Sequence, residues 1–172
     1  MIVASNRQIG RSKMGVVTMD KAAFAARAMA CERKLYRVAR TLLRADADCE
    51  DAVQEALIRA WRSRDSLREE RFFDTWLTRI LINECRNIQR RRPPTVPLEP
   101  DLDAARPEED AALMAALTAL PEKLRLAMTL HYVEGYPVED VAGILKIPAG
   151  TVKWRLSQGR KRLREGMKEE LP

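Results

Sequence analysis

Gly135-Tyr136-Pro137-Val138-Glu139-Asp140-Val141-Ala142-Gly143-Ile144-Leu145-Lys146-Ile147-Pro148-Ala149-Gly150-Thr151-Val152-Lys153-Trp154-Arg155-Leu156-Ser157-Gln158-Gly159-Arg160-Lys161-Arg162-Leu163 reads as two helices joined by a tight turn, a helix-turn-helix. Val138 to Leu145 form the first helix, Lys146-Ile147-Pro148 the turn, and Ala149-Gly150-Thr151 lead the second. At about 100° per residue, Val152, Leu156, Gly159 and Leu163 fall on one face, which must be packed. Lys153, Trp154, Ser157, Gln158 and Lys161 fall opposite, beyond Thr151, with Arg155 and Arg160 at the borders. A polar and basic face rimmed by arginines suits a major groove, with base edges in the middle and phosphates at the edges. Trp154 on that face either meets a partner or packs on a neighbouring helix.

Working outward, the same helical periodicity recurs almost everywhere. Phe24, Ala28, Leu35, Val38, Ala39 and Leu42 form a stripe over Lys21 to Leu43. Asp46 and Asp48 supply capping carboxylates for a helix that runs to about Arg62. A charged loop, Ser63 to Arg71, leads to a third helix from Phe72 to about Arg91, which Pro93-Pro94 ends. Pro93 to Pro107, with Glu99, Asp101 and Asp103, reads as an extended acidic linker. Helical pattern resumes near Glu108, breaks at Pro121 and continues over Glu122 to Glu134 into the helix-turn-helix. The expected fold is all-α, with two small helical domains, 20–92 and 108–172, joined by a flexible tether at 93–107 and preceded by a tail at 1–19. Met14 and Met19 are alternative starts to Met1, and the tail lacks the apolar segment of a secretory signal.

Composition agrees. The chain has 172 residues, 33% charged and only 5% aromatic, with a formal net charge of +6. The charge is blocked: Arg86 to Arg92 and Lys153 to Arg164 are basic, Glu99 to Asp110 acidic, which points to a polyanion partner more sharply than the total does. Cys31, Cys49 and Cys85 lie far apart without metal-ligand spacing and are expected as buried or half-buried thiols in a reducing cytoplasm. No apolar run reaches the roughly 20 residues that cross a bilayer. An enzyme is not expected, nor a metal or cofactor: His131 is the only histidine, no carboxylate cluster has metal-ligand spacing, and no Gly-rich phosphate loop occurs.

Two other helices carry function. On the third, Trp76, Leu77, Ile80, Leu81 and Ile88 lie on one side, and Arg79, Asn83, Arg86, Gln89 and Arg90 towards the other. Amides and guanidinium groups can bind bases and phosphates, and a calmodulin-like or membrane-surface helix has the same composition. On the second, Asp51, Gln54, Glu55 and Ile58 form a stripe, while Val53, Ala56, Leu57 and Ala60 face inward. Carboxylates gain nothing from facing phosphate. The stripe is either ordinary surface charge or a contact for a basic protein.

Leu35-Tyr36-Arg37-Val38-Ala39-Arg40, Asp48 to Trp61, Phe73-Asp74-Thr75-Trp76-Leu77, and Leu120-Pro121-Glu122 to Leu163 together resemble, in family order, the extracytoplasmic-function (ECF) group of bacterial RNA polymerase sigma factors. The resemblance implies promoter-specific initiation of transcription in the cytoplasm, with core RNA polymerase (beta-prime and beta subunits), promoter DNA and an anti-sigma factor as partners. It implies that Asp51, Gln54, Glu55 and Ile58 meet the polymerase and that Arg79, Asn83, Arg86 and Arg90 bind the melted minus-ten element. Ser63 to Arg71 would hold a flipped-out base. Thr151, Lys153, Trp154, Arg155, Ser157, Gln158 and Arg160 would read the minus-thirty-five element. The linker would thread the polymerase channel. The chain departs from the family's pattern at Tyr136-Pro137-Val138-Glu139, where a Ser/Thr-containing helix start is common, and at bulky Trp154. The alternative is a stand-alone helix-turn-helix regulator, which would dimerise on a palindrome and need neither stripe nor linker.

Overall fold

The computed structural model describes residues 19–91 and 115–169, with side chains up to 166. The expected tail and acidic linker lie outside the described residues. Three long helices build the first domain: α1 (Lys21–Leu42), α2 (Asp46–Arg62) and α3 (Phe73–Arg91). The second holds α4 (Glu122–Met128), a wider π-turn (Thr129–Val133), α5 (Val138–Leu145) and α6 (Ala149–Glu169). Among the described residues no strand occurs.

Each stripe buries where its spacing requires. Leu35, Val38 and Ala39 of α1, Ala52, Ala56 and Ala60 of α2, and Leu77, Leu81 and Cys85 of α3 are fully shielded from solvent. A side chain the size of leucine contributes about 1.5–3 kcal/mol on such burial. Phe24 meets Trp61 and Phe73 edge-to-face, at 5.3 and 5.6 Å between ring centres. Asp20 caps α1, its carboxylate accepting from the Ala23 amide at 2.8 Å. The capping expected of Asp46 and Asp48 does not occur. Ala45 occupies the cap without a side-chain bond, both aspartates sit in the first turn, and the Asp46 carboxylate pairs with Arg40 instead. The loop after α2 folds into two 3₁₀ turns, Arg64–Ser66 and Glu70–Phe72.

In the second domain Leu124, Leu130, Val141, Ile144, Val152 and Leu156 form the core. The turn between α5 and α6 puts Lys146 in the left-handed region, at φ 55°, while the Ile147 amide donates to the Ala142 carbonyl at 3.1 Å. Gly159 of α6 packs closely on Met128, whose side chain would have to shift for a Cβ, since one there would stand 2.7 Å from it.

The domains do not stand apart. Arg37 on α1 grips Glu134 with two parallel bonds of 2.8 and 2.9 Å. Tyr136, 6% exposed, inserts its ring beside Lys34, whose ammonium lies 4.8 Å from the ring centre. Its hydroxyl shares a 2.9 Å hydrogen bond with Thr78 of α3. Arg125 donates to the Thr41 carbonyl, and Gln89 to that of Leu42, each at 2.8 Å. Gln89, grouped by periodicity with the nucleic-acid side of α3, thus faces the second domain, with Glu122 3.2 Å from its amide nitrogen.

Candidate nucleic-acid interface

Three surfaces carry the candidate residues, each on a helix positioned by the core beneath it. On α2, Val53, Ala56 and Ala60 anchor the helix, and the opposite side presents Asp51 and Gln54 in solvent, Glu55 half-buried and Ile58 45% exposed. Leu57, expected inside, is only partly buried. An exposed isoleucine framed by carboxylates suits a partner that brings both apolar contact and positive charge.

On α3, Trp76, Leu77, Leu81 and Cys85 face the core, and Asn83, Arg86 and Arg90 stand in solvent. Arg90 is tied to the Asn87 amide oxygen. Arg79 is half-buried in a cleft of about 500 Å³ between the two domains. Arg68, Phe72 and Thr75 line one side of it and Glu139 and Asp140 of α5 the other. Arg79 is thereby separated from the other three candidates, in a cleft that also holds carboxylates. Phe72, 41% exposed with the Arg71 guanidinium 4.6 Å from its ring centre, was not singled out by the sequence. An aromatic at the end of a charged loop was the available signal.

On α6 the projected geometry holds. Lys153, Ser157 and Arg160 are exposed, Trp154 is 59% exposed, and Thr151, Arg155 and Gln158 are half-buried. Trp154 is thus mostly in solvent rather than buried against a neighbouring helix. Arg160 donates to the Tyr132 hydroxyl, which places an exposed phenol from the preceding π-turn beside the basic face. Tyr132 was missed because its partner is 28 residues away. His131 is tied locally, its Nδ1 2.8 Å from the Tyr136 carbonyl.

Titratable groups inside the domains are tuned by burial. The Cys31 and Cys49 thiols are pushed up to about 11 and Cys85 to about 12, chiefly by desolvation. All three are buried and free, neutral thiols rather than nucleophiles. Burial likewise raises the Tyr136 phenol. For Lys34, burial alone acts downward, and Tyr136 and the Asp74 carboxylate outweigh it, so its ammonium is held above the usual value. Among the described residues no group of His, Cys, Asp and Glu could hold a metal ion, and no helix is long and apolar enough to cross a membrane.

Known proteins match this arrangement. Residues 28–93 match the family model Sigma-70 region 2, and residues 110–163 match Sigma-70, region 4. The chain is 38% identical to the ECF RNA polymerase sigma factor SigM of Mycobacterium tuberculosis over 137 residues, 76% of this chain and 70% of that protein. It is 35% identical to the ECF RNA polymerase sigma-E factor of Escherichia coli over 135 residues, 66% of this chain and 70% of the relative. Among solved structures it resembles the sigma factor RpoE of Bartonella quintana, crystallised with the anti-sigma factor NepR, with a TM-score of 0.69 and 28% identity over 86% of this chain and 98% of that one. CnrH, in complex with the cytosolic domain of CnrY, shares the fold at a TM-score of 0.69 and 23% identity, covering 88% of this chain and 92% of that one.

Proposed function

Because the chain belongs to the ECF group of RNA polymerase sigma factors, we propose that it binds core polymerase through Asp51, Gln54, Glu55 and Ile58 and directs initiation at promoters read by α3 and α6. The observation that carries this reading is one folded chain presenting an acidic, part-apolar stripe on α2 together with two separate cationic helix faces. Carboxylates on α2 complement a basic protein surface and repel DNA, so the three faces divide the work between polymerase and promoter.

Asn83, Arg86 and Arg90 meet the melted minus-ten strand, and Arg79 joins them when the cleft at α5 opens. Thr151, Lys153, Trp154, Arg155, Ser157, Gln158 and Arg160 read the minus-thirty-five duplex. Two modest DNA contacts in one complex reinforce each other through effective concentration. The protein performs no chemistry of its own and needs no cofactor; it works in the cytoplasm with the polymerase's active site. An anti-sigma factor is a further proposed partner, since the RpoE structure holds one.

Run-off transcription with purified core polymerase over a promoter library tests the reading. Wild type initiates at specific sequences, and Asp51→Arg/Glu55→Arg loses initiation while circular dichroism shows the helices intact. Absence of initiation by wild type, with tight autonomous binding to a palindrome, would leave the stand-alone regulator.

A further inference from the structure

Among the described residues Glu84 is the one ionisable side chain of the buried, non-thiol interior of α3, at 5% exposure. It sits beneath the proposed minus-ten face. Its register explains the burial: it follows Leu77 and Leu81 on the core side of α3, at spacings of i+7 and i+3. A carboxylate is costly there unless both oxygens are engaged. Glu84 Oε1 lies 3.0 Å from Arg59 Nη1 on α2, and Oε2 accepts from the Asn87 amide at 3.2 Å. The same Arg59 donates its Nε to Glu55 at 3.0 Å, and the same Asn87 accepts from Arg90. An unbroken chain, Glu55–Arg59–Glu84–Asn87–Arg90, therefore runs from the α2 stripe to the tip of α3. It borders a groove of about 400 Å³ that Arg62 and Asn83 also line.

We propose that Glu84 is a positioning residue that couples polymerase capture at α2 to promoter contact at α3. The inference rests on the sigma-factor reading above. One guanidinium serves two carboxylates of unequal exposure: Glu55 at 45% and Glu84 at 6% of their side chains. The exposed Glu55 carboxylate exchanges its partner readily, whereas the buried Glu84 carboxylate is costly to leave without its cation. A cationic group of the polymerase arriving at Glu55 takes the place of Arg59 on that carboxylate. Arg59 then pairs with Glu84 alone, and charge-assisted bonds in series pass the change to Asn87 and Arg90. Linkage makes the coupling reciprocal.

Glu84→Gln retains an acceptor but removes the charge. The full-length variant is reconstituted with core polymerase, alone and combined with Glu55→Gln. Three quantities are read: affinity for core, rate of promoter opening at saturating sigma factor, and urea midpoint. Glu84→Gln assembles with core within about twofold of wild type but opens promoters about fivefold or more slowly, and adding Glu55→Gln slows opening no further, because both act through one network. Multiplying effects, or a loss of opening that tracks the loss of folded protein, would overturn the coupling. If Glu84→Gln does not fold, Arg59→Lys decides, since Arg59 meets Glu55 through Nε and Glu84 through Nη1, a two-nitrogen fork that the single nitrogen of lysine does not reproduce. The lysine variant shows the same opening defect if the proposal holds, and wild-type opening overturns it. Failure of wild type itself to initiate would instead strike the sigma-factor reading.

Discussion

The proposed promoter-facing helices α3 and α6 differ in what holds their surfaces. The face of α6 follows mainly from the helix's own register, with one tie to a neighbour at Arg160–Tyr132: Val152, Leu156 and Gly159 bury one side, and Lys153, Trp154 and Ser157 project from the other. The face of α3 depends on its neighbours. Arg79 shares a cleft with α5, Thr78 bonds Tyr136, Gln89 holds the Leu42 carbonyl, and Glu84 is shared with α2. A duplex groove can be met by a preformed helix, whereas a melted strand exists only after polymerase has been recruited. The helix face wired to the rest of the molecule is the one proposed to act after polymerase has been recruited.

Alkaline titration makes the largest difference between the domains, because all three thiols belong to the first. Their ionisation rises from a usual 9.0 to about 11 for Cys31 and Cys49 and about 12 for Cys85. The unfolded chain thus releases those protons before the folded one does. The stabilisation is complete below pH 9 and is lost as pH climbs through the folded values. Urea midpoints followed by fluorescence of the first-domain tryptophans, Trp61 and Trp76, fall between pH 9 and 11 more steeply than those followed by the ring-proton NMR signal of His131 in the second domain. Parallel curves would break the contrast.

Arg37→Ala comes next. It leaves the Glu134 carboxylate, whose side chain is 1% exposed, without its cation. The expected cost is about 1–3 kcal/mol, measured as a shift in urea midpoint, with faster amide exchange where α1 meets the second domain. Unchanged exchange would show that the domains do not depend on this pair. The smallest effect on folding belongs to Trp154→Ala, within about 0.5 kcal/mol because the residue is 59% exposed. Its expected loss appears in promoter selectivity at the minus-thirty-five element alone, read by run-off transcription over variant promoters.

The same division decides what was legible in the sequence. The faces of α2 and α6 follow from periodicity within one helix, so Ile58 and Trp154 emerge in solvent as projected. Contacts between helices distant in the chain leave no such trace. Arg37 and Glu134 are separated by 97 positions and Thr78 and Tyr136 by 58, and a Pro-rich stretch between them reads as a tether. Gln89 misled because its amide suits a carbonyl as well as a base edge. Glu84 was readable in principle: a carboxylate in register with Leu77 and Leu81 announces a buried partner. Asp46 and Asp48 misled because both fall inside the first turn of α2, behind Ala45 at the cap, where Asp46 pairs with Arg40.

The π-turn at Thr129–Val133 carries a consequence for the evolution of the chain's length. It accommodates one residue more per turn than the α-helix around it, and Glu134 and Tyr136 follow directly. Deleting a single position there would swing both side chains by about 100° about the helix axis and carry them off Arg37 and Thr78. The meeting of the two domains is thus a matter of counting: neighbouring lineages that gain or drop one residue in this segment can keep every contacting side chain and still lose the contact.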